Sequence, residues 1–298
     1  MRRILGAMPL FRMVESVALD SPVVVAAFDG WVDAGNAGTL AARQLLGDDS
    51  RVVATFDADT LFDYRARRPT LDILDGTLQS LEWPELHLRA SHFGERDLLV
   101  LTGPEPDFRW NDLSSEVTGL MKQLGVSTWV SLGSIPAAVA HTRPVPVLGT
   151  ASVRGMLPDG VSQGPDGRLR VPAAALSVLE LGVTASGIPS VGFFAQVPHY
   201  LSAAYPQAAI ELLTQVGHYL GFEPSLGELP MQALETRALL DAATAADERT
   251  KAHVERLEEM ADQARMPVGD DLIADIERFL RDRDGGDRGS GDGGTRLN

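Results

Sequence analysis

The 298-residue chain contains no cysteine. Disulfide bonds, thiolate nucleophiles and cysteine-ligated zinc are therefore excluded. Lysine is nearly absent too: Lys122 and Lys251 are the only lysines among 26 basic residues. With a formal net charge of −15 and no basic stripe to offset it, the chain is not expected to bind a nucleic-acid backbone. No apolar run is long enough to span a bilayer. The stretch from Met1 opens like a signal peptide, but Arg12 and Glu15 interrupt it before an apolar segment of the required length forms. A cytoplasmic location without membrane contact is expected. The histidines show no His-Glu-x-x-His or comparable spacing, and His87 and His92 fall on an expected loop. No metal and no cofactor are expected.

What is present is an apolar fraction of 44%, ample for a packed core, and a strong opening pattern. Pro22–Phe28 is almost purely apolar, as suits a strand buried on both faces. It ends in Asp29-Gly30, and three glycines, Gly30, Gly35 and Gly38, lead into a helical stretch over Thr39–Leu46. Strand, glycine-rich loop and helix form the opening unit of an α/β sheet, in which ligands usually sit at the carboxyl ends of the strands. Further strands are expected at Arg51–Phe56, Asp97–Leu101, Val126–Leu132, Val145–Thr150 and Ile188–Phe194. Helices are expected at Leu113–Leu124, at Ala173–Leu181 stopped by Gly182, and at Gln207–Leu220. The fold class is α/β: a mostly parallel twisted sheet flanked by helices.

From Met231 to about Arg265 no glycine or proline interrupts strong helix formers, so one long helix or two joined ones follow the sheet. Beyond Pro267, an amphipathic segment carries Leu272, Ile276 and Phe279 on one face. Three parts are expected: an α/β core over 1–228, a helical extension over 229–284, and a disordered Gly/Asp/Arg-rich tail over 285–298.

The chemical signals are individually unspecific. The loop with Asp29, Gly30, Asp33, Asn36 and Gly38 could cradle a phosphate on backbone N–H groups, but it matches neither Gly-x-Gly-x-x-Gly nor a P-loop. A tight turn with close helix packing is the favoured reading. Three arginines, Arg65, Arg67 and Arg68, in the run Asp63-Tyr64-Arg65-Ala66-Arg67-Arg68-Pro69, suit a carboxylate or phosphate, a solvated loop or an ion-pairing subunit interface. Glu105 and Asp107 follow a strand end and could serve acid–base work. Ser134 precedes His141 and Arg143, inviting a nucleophile–base pairing that lacks the Gly-x-Ser-x-Gly frame. Gln196, His199 and Tyr200 follow the last strand. In a parallel sheet Asp29, Glu105, His141 and His199 all lie beyond carboxyl ends, where they could converge on one edge.

Together, Phe28-Asp29-Gly30-Trp31 with Gly35-Asn36-Ala37-Gly38, Phe62-Asp63-Tyr64-Arg65, Gly103-Pro104-Glu105-Pro106-Asp107 and His141-Thr142-Arg143-Pro144 resemble the actinobacterial branch of the proteasome-assembly-chaperone family, the branch related to the second eukaryotic assembly chaperone. The similarity covers roughly residues 9–225. It implies a nucleoside-phosphorylase-like α/β fold used for protein binding without an established catalytic role. It also implies self-association, with a trimer as the expected number. Members that dock on the proteasome α-ring often end in a hydrophobic-Tyr-any tripeptide. This chain ends Arg296-Leu297-Asn298, so docking is expected through another surface, with residues 231–280 as the candidate. The alternative for that segment is docking on the chain's own core.

The leading expectation is a non-catalytic, homo-oligomeric protein-binding protein whose partners are itself and proteasome subunits. The alternative is a small-molecule hydrolase or transferase on the same fold. Its catalytic candidates are Asp29, Glu105 and His141. Gly30, Asp33, Asn36, Gly38, Arg65, Arg68, Asp107, Arg143 and His199 would line a ligand site or an interface.

Overall fold

The computed structural model describes residues 9–265 apart from 48, 94–95 and 165–166. The strands are β1 (Phe11–Met13), β2 (Val23–Asp29), β3 (Arg51–Phe56), β4 (Thr70–Leu74), β5 (Thr77–Glu82), β6 (His87–Phe93), β7 (Arg96–Pro104), β8 (Thr128–Ala137), β9 (Val147–Ala151), β10 (Ser162–Gln163) and β11 (Ser190–Pro198). The helices are α1 (Ala37–Gln44), α2 (Ala58–Leu61), α3 (Trp110–Gln123), α4 (Ala175–Ala185), α5 (Pro206–Leu220), α6 (Leu229–Ala246) and α7 (Glu248–Arg265).

One sheet runs in the order β1-β3-β6-β7-β2-β8-β11-β9-β10. Its centre, β7-β2-β8-β11, is parallel, and antiparallel strands extend it on both sides. The expected α/β class is present, with the parallel part at the middle. β2 lies at the centre because six consecutive apolar residues leave it no face for water. Alternation divides them. Val24, Ala26 and Phe28 pack with Leu113, Val117 and Met121 of α3 and Leu176, Leu179 and Val183 of α4. Val23, Val25 and Ala27 pack with Ala37 and Ala41 of α1 and Ala208, Leu212 and Val216 of α5 on the opposite face.

Three local expectations change, and one element was not expected. His87 and His92 lie on β6, not on a loop. β8 continues past Leu132 to Ala137, because β11 pairs with it along its whole length. Gly182 does not end α4. A Cβ there would lie 2.2 Å from the Ser114 hydroxyl, so this glycine lets α4 cross close to α3, and Gly187 with φ +97° follows the helix end. Finally, β4 and β5 form a separate hairpin around Asp75-Gly76, whose φ values are +50° and +77°. Both central residues in left-handed conformations are what a two-residue hairpin turn requires.

Among the described residues, the helical extension comprises two helices meeting at Asp247, whose carboxylate accepts hydrogen bonds from the Thr250 N–H and hydroxyl at the start of α7. Leu229 of α6 is buried with α5, and Val254 and Leu257 of α7 are buried against Ala140 and Tyr200. This part of the extension docks on the chain's own core. Leu272, Ile276, Phe279 and the tail from Gly285 lie outside the described residues.

Candidate functional site

The carboxyl ends of β2 and β8 enclose the crevice where an open α/β sheet commonly binds its ligand, since the connections leave these strands in opposite directions. Here the chain closes that crevice itself. The loop after β2 lies against the extended end of β8: the Ser134 N–H donates to the Val32 carbonyl at 2.7 Å, and the Ser134 hydroxyl donates to the Ala34 carbonyl at 2.7 Å. Asp33 and Ser134 form a parallel bridge. Ser134 is thus committed to the loop, and the pairing of Ser134 with His141 is not formed.

Asp33 faces the start of α1. One carboxylate oxygen accepts from the Gly38 N–H at 2.7 Å and the Thr39 N–H at 3.2 Å, and the other from the Thr39 hydroxyl at 2.5 Å. These first-turn N–H groups are the ones a bound phosphate would use; an internal carboxylate holds them. Burial pushes the Asp33 carboxyl above its ordinary pKa, and the hydrogen bonds from Thr39 and Gly38 oppose the rise. Asn36 adopts a left-handed conformation, and its N–H closes a turn on the Asp33 carbonyl at 2.9 Å. Gly38 is needed for approach: a Cβ there would stand 3.0 Å from both the Leu132 carbonyl and the Asp33 carboxylate.

Glu105 clasps two segments. Its carboxylate accepts from the Trp31 N–H at 2.7 Å and from the Ala175 N–H, in the first turn of α4, at 2.7 Å. It lies directly over Gly30, where a Cβ would come 2.2 Å from Oε2. Asp29 pairs with Arg67 at 2.7 Å, and the same guanidinium donates to the Asp29 carbonyl at 3.1 Å. Asp107 accepts from the Asp63 N–H at 2.8 Å and ties down the arginine-bearing loop. Arg65 and Arg68 are exposed on that loop.

His141 and His199 lie in a different cluster, beneath the helical extension. The Tyr200 hydroxyl accepts from the His141 backbone N–H at 2.9 Å and lies 2.7 Å from Nδ1, so its own proton points to that nitrogen. Nε2 is then the protonated nitrogen, 3.2 Å from Asp241 of α6. Burial pushes the His141 pKa down, and Asp241 opposes the fall. Arg143 grips α7, with Asp262 at 2.8 Å and Glu258 at 3.3 Å, while Thr142 donates to Glu258. The His199 ring lies 3.1 Å from the Ala137 carbonyl and meets Tyr200 and His253 edge-on. A cleft of about 300 Å³ between core and extension is lined by His141, Arg143, Tyr205, Gln207 and Arg237.

The candidates thus form two groups: Asp29, Gly30, Asp33, Gly38, Glu105 and Asp107 knit the loops over the crevice, whereas His141, Arg143 and His199 anchor the extension. Among the described residues no hydrogen bond or ion pair joins a member of one group to a member of the other. Sequence reasoning named Arg67, the arginine that meets Asp29, only as one of three in its run and Tyr200 only by its place after the last strand, and it missed Asp241, Glu258 and Asp262. Nothing local distinguishes Arg67 from its neighbours, and acids on long helices resemble a solvated face.

A sequence profile of the PAC2 family matches residues 27–244. No functionally curated protein matches the chain. Among solved structures, a protein of unknown function from Corynebacterium glutamicum is 29% identical, with 86% of this chain and 97% of that one covered and a TM-score of 0.78. A proteasome-assembly chaperone homologue from Mycobacterium tuberculosis is 33% identical, covering 78% of this chain and 99% of its own at a TM-score of 0.71. A PAC2 family protein from Streptomyces avermitilis is 32% identical over 78% of this chain and 99% of its own, at a TM-score of 0.66. The match spans the glycine-rich loop, the Glu105 clasp and the His141–Arg143 anchor, and the chain belongs to the PAC2 family, in agreement with the resemblance of its motifs to the proteasome-assembly chaperones.

Proposed function

We propose that the protein is a non-catalytic assembly chaperone of proteasome subunits that works in the cytoplasm as a homo-oligomer, through protein surfaces rather than a reaction centre. The observation that carries this reading is the closed crevice. Where an α/β enzyme would present free donors and acids, this chain spends them on itself. Asp33 occupies the helix N–H groups, Glu105 occupies two backbone N–H groups, and Ser134 is bonded to the loop. A catalytic acid or base must reach a substrate proton, and these groups already hold partners. The Mycobacterium tuberculosis relative with the proteasome-assembly chaperone name supports the choice of client. Among the described residues no helix is long and apolar enough to cross a membrane, which is compatible with the proposed location.

The test is purification of the tagged full-length protein from its own cells, with identification of bound chains. Proteasome α-subunits at stoichiometric yield are expected. Recovery without them, with a retained small molecule in the cleft at His141 and Arg143, would overturn the reading in favour of a hydrolase or transferase.

A further inference from the structure

The groups that close the crevice also gather a set of exposed side chains on its outer side. Glu105 joins two segments there, since its carboxylate accepts from the Trp31 N–H and from the Ala175 N–H, each at 2.7 Å. One carboxylate thus holds the loop after β2 beside the segment that leads into α4. The arginine-bearing loop is fixed to the same place. Arg67 pairs with Asp29 at 2.7 Å, and the Phe108 N–H donates to the Leu61 carbonyl at 3.1 Å.

Four large apolar side chains on these segments face water. Trp31 is 65% exposed, Phe108 49%, Leu169 61% and Val171 66%. Residues 167–173 are exposed throughout. A single exposed leucine is ordinary, but a tryptophan with three further apolar side chains, on segments tied to one clasp, marks an interaction surface. The charges around them are sorted by sign. The acids are engaged: Asp29 by Arg67, Asp112 by Arg109, and Asp63, Glu105 and Asp107 by backbone N–H groups. The arginines are not. Arg65, Arg68, Arg168 and Arg170 are exposed, and among the described residues no ion pair engages them. In a chain of net charge −15 this is a local reversal of sign.

We infer that this face docks an acidic segment of a partner protein, with apolar side chains of the segment against Trp31, Phe108, Leu169 and Val171 and its carboxylates on the four arginines. Tryptophan and arginine are the residue types that concentrate binding energy at protein interfaces. The guanidinium fork matches a carboxylate, and the unpaired positive charge selects a negative partner. A nucleic acid is the other polyanion, and the net charge of the chain repels it. The closed crevice and the docking face are then two sides of one construction: the acids turned inward to hold the loops leave the arginines outward.

The identity of the partner rests on the proposed function, which makes it a proteasome α-subunit, and two titrations of the full-length protein separate the two claims. The first uses a fluorescein-labelled peptide of alternating glutamate and leucine, followed by anisotropy at low salt. Wild type should bind it, and a lysine–leucine peptide should not bind. Trp31→Ala and, separately, Arg168→Glu with Arg170→Glu should each weaken binding at least tenfold, with circular dichroism and the mass by light scattering unchanged. No binding by wild type, unchanged affinity in either variant, equal binding of the lysine–leucine peptide, or displacement of the peptide by a single-stranded oligonucleotide overturns the face. A lower mass in either variant also overturns it, by making these residues subunit contacts. The second titration uses purified proteasome α-subunits. Weakening in parallel with the peptide is expected, and equal binding to wild type and both variants overturns the face as the docking site of the client. α-Subunits that do not bind wild type overturn the client assignment instead, and the peptide titration still decides the face.

Discussion

Replacement of Glu105 distinguishes a clasp from a chemical group. Its carboxylate accepts two backbone hydrogen bonds of 2.7 Å, one from Trp31 and one from Ala175. A hydrogen bond to a charged acceptor contributes about 1.5–3 kcal/mol, and the lower figure applies because Glu105 is half-buried. Glu105→Ala should therefore cost about 3 kcal/mol of stability. Glu105→Gln keeps the shape but sets one acceptor and one donor against two donors, and should cost about 1.5–2 kcal/mol. Gly30 is the second half of the test. A Cβ there meets Glu105 Oε2 at 2.2 Å and Glu105 Cβ at 2.4 Å, and the residue is not in a left-handed conformation. The obstacle to a side chain is the Glu105 side chain itself. Gly30→Ala should cost about 2–3 kcal/mol by overpacking. It should stay costly beside Glu105→Ala, which keeps the Cβ, and become cheaper by at least about 1 kcal/mol beside Glu105→Gly. Urea unfolding followed by circular dichroism gives each value at a common slope. A cost under about 0.5 kcal/mol for Glu105→Ala, or additivity of Gly30→Ala with Glu105→Gly, would refute the clasp.

Three other perturbations address the remaining residues. Asp33→Ala strands the Gly38 and Thr39 N–H groups at the start of α1, while the Thr39 hydroxyl keeps the Asn36 carbonyl, and should cost about 2–3 kcal/mol in the same urea assay, with Asp33→Asn recovering part of it; equal stability to wild type contradicts the capping role. Arg143→Ala removes the grip on Asp262 and Glu258, so trypsin should cut after Arg249, Lys251 or Arg256 several-fold faster than in wild type; an unchanged rate means that α7 does not depend on the grip. For His141, burial holds the folded pKa below the ordinary 6.5 that the unfolded chain keeps. The unfolded chain then binds the proton first as pH falls. The stability linked to this group is complete above pH 6.5 and declines below it. Wild type should lose more of its urea midpoint between pH 7.5 and 5.5 than His141→Gln, and equal losses would exclude His141 as the cause.

The central architecture was legible because β2 is uniformly apolar and the helices carry glycine or proline at their ends, as with Gly125, Pro206 and Gly221. Of the flanking strands, β3 and β9 were legible too, but β6 was not, because it mixes His87, Arg89 and His92 with apolar residues and has no clean alternation. The hairpin left a signal that went unused: Asp75-Gly76 between short aliphatic runs. The conspicuous residues were identified correctly as conspicuous, but their spacing gives no hint of partners distant in sequence. Glu105 meets Ala175, 70 residues away, and His141 meets Asp241, 100 residues away. Position at a strand end therefore located the residues, while the division into a loop clasp and an extension anchor needed three dimensions.

The account rests on the carboxyl-edge groups holding the fold while the protein acts through its surface. The most direct measurement is the amount of proteasome α-subunit retained by wild type and by a folded Glu105→Gln, His141→Gln variant at matched concentration. Equal, stoichiometric retention by both is expected. Failure of wild type to retain any α-subunit, or loss of retention in a variant whose circular dichroism spectrum and mass are unchanged, would contradict the account.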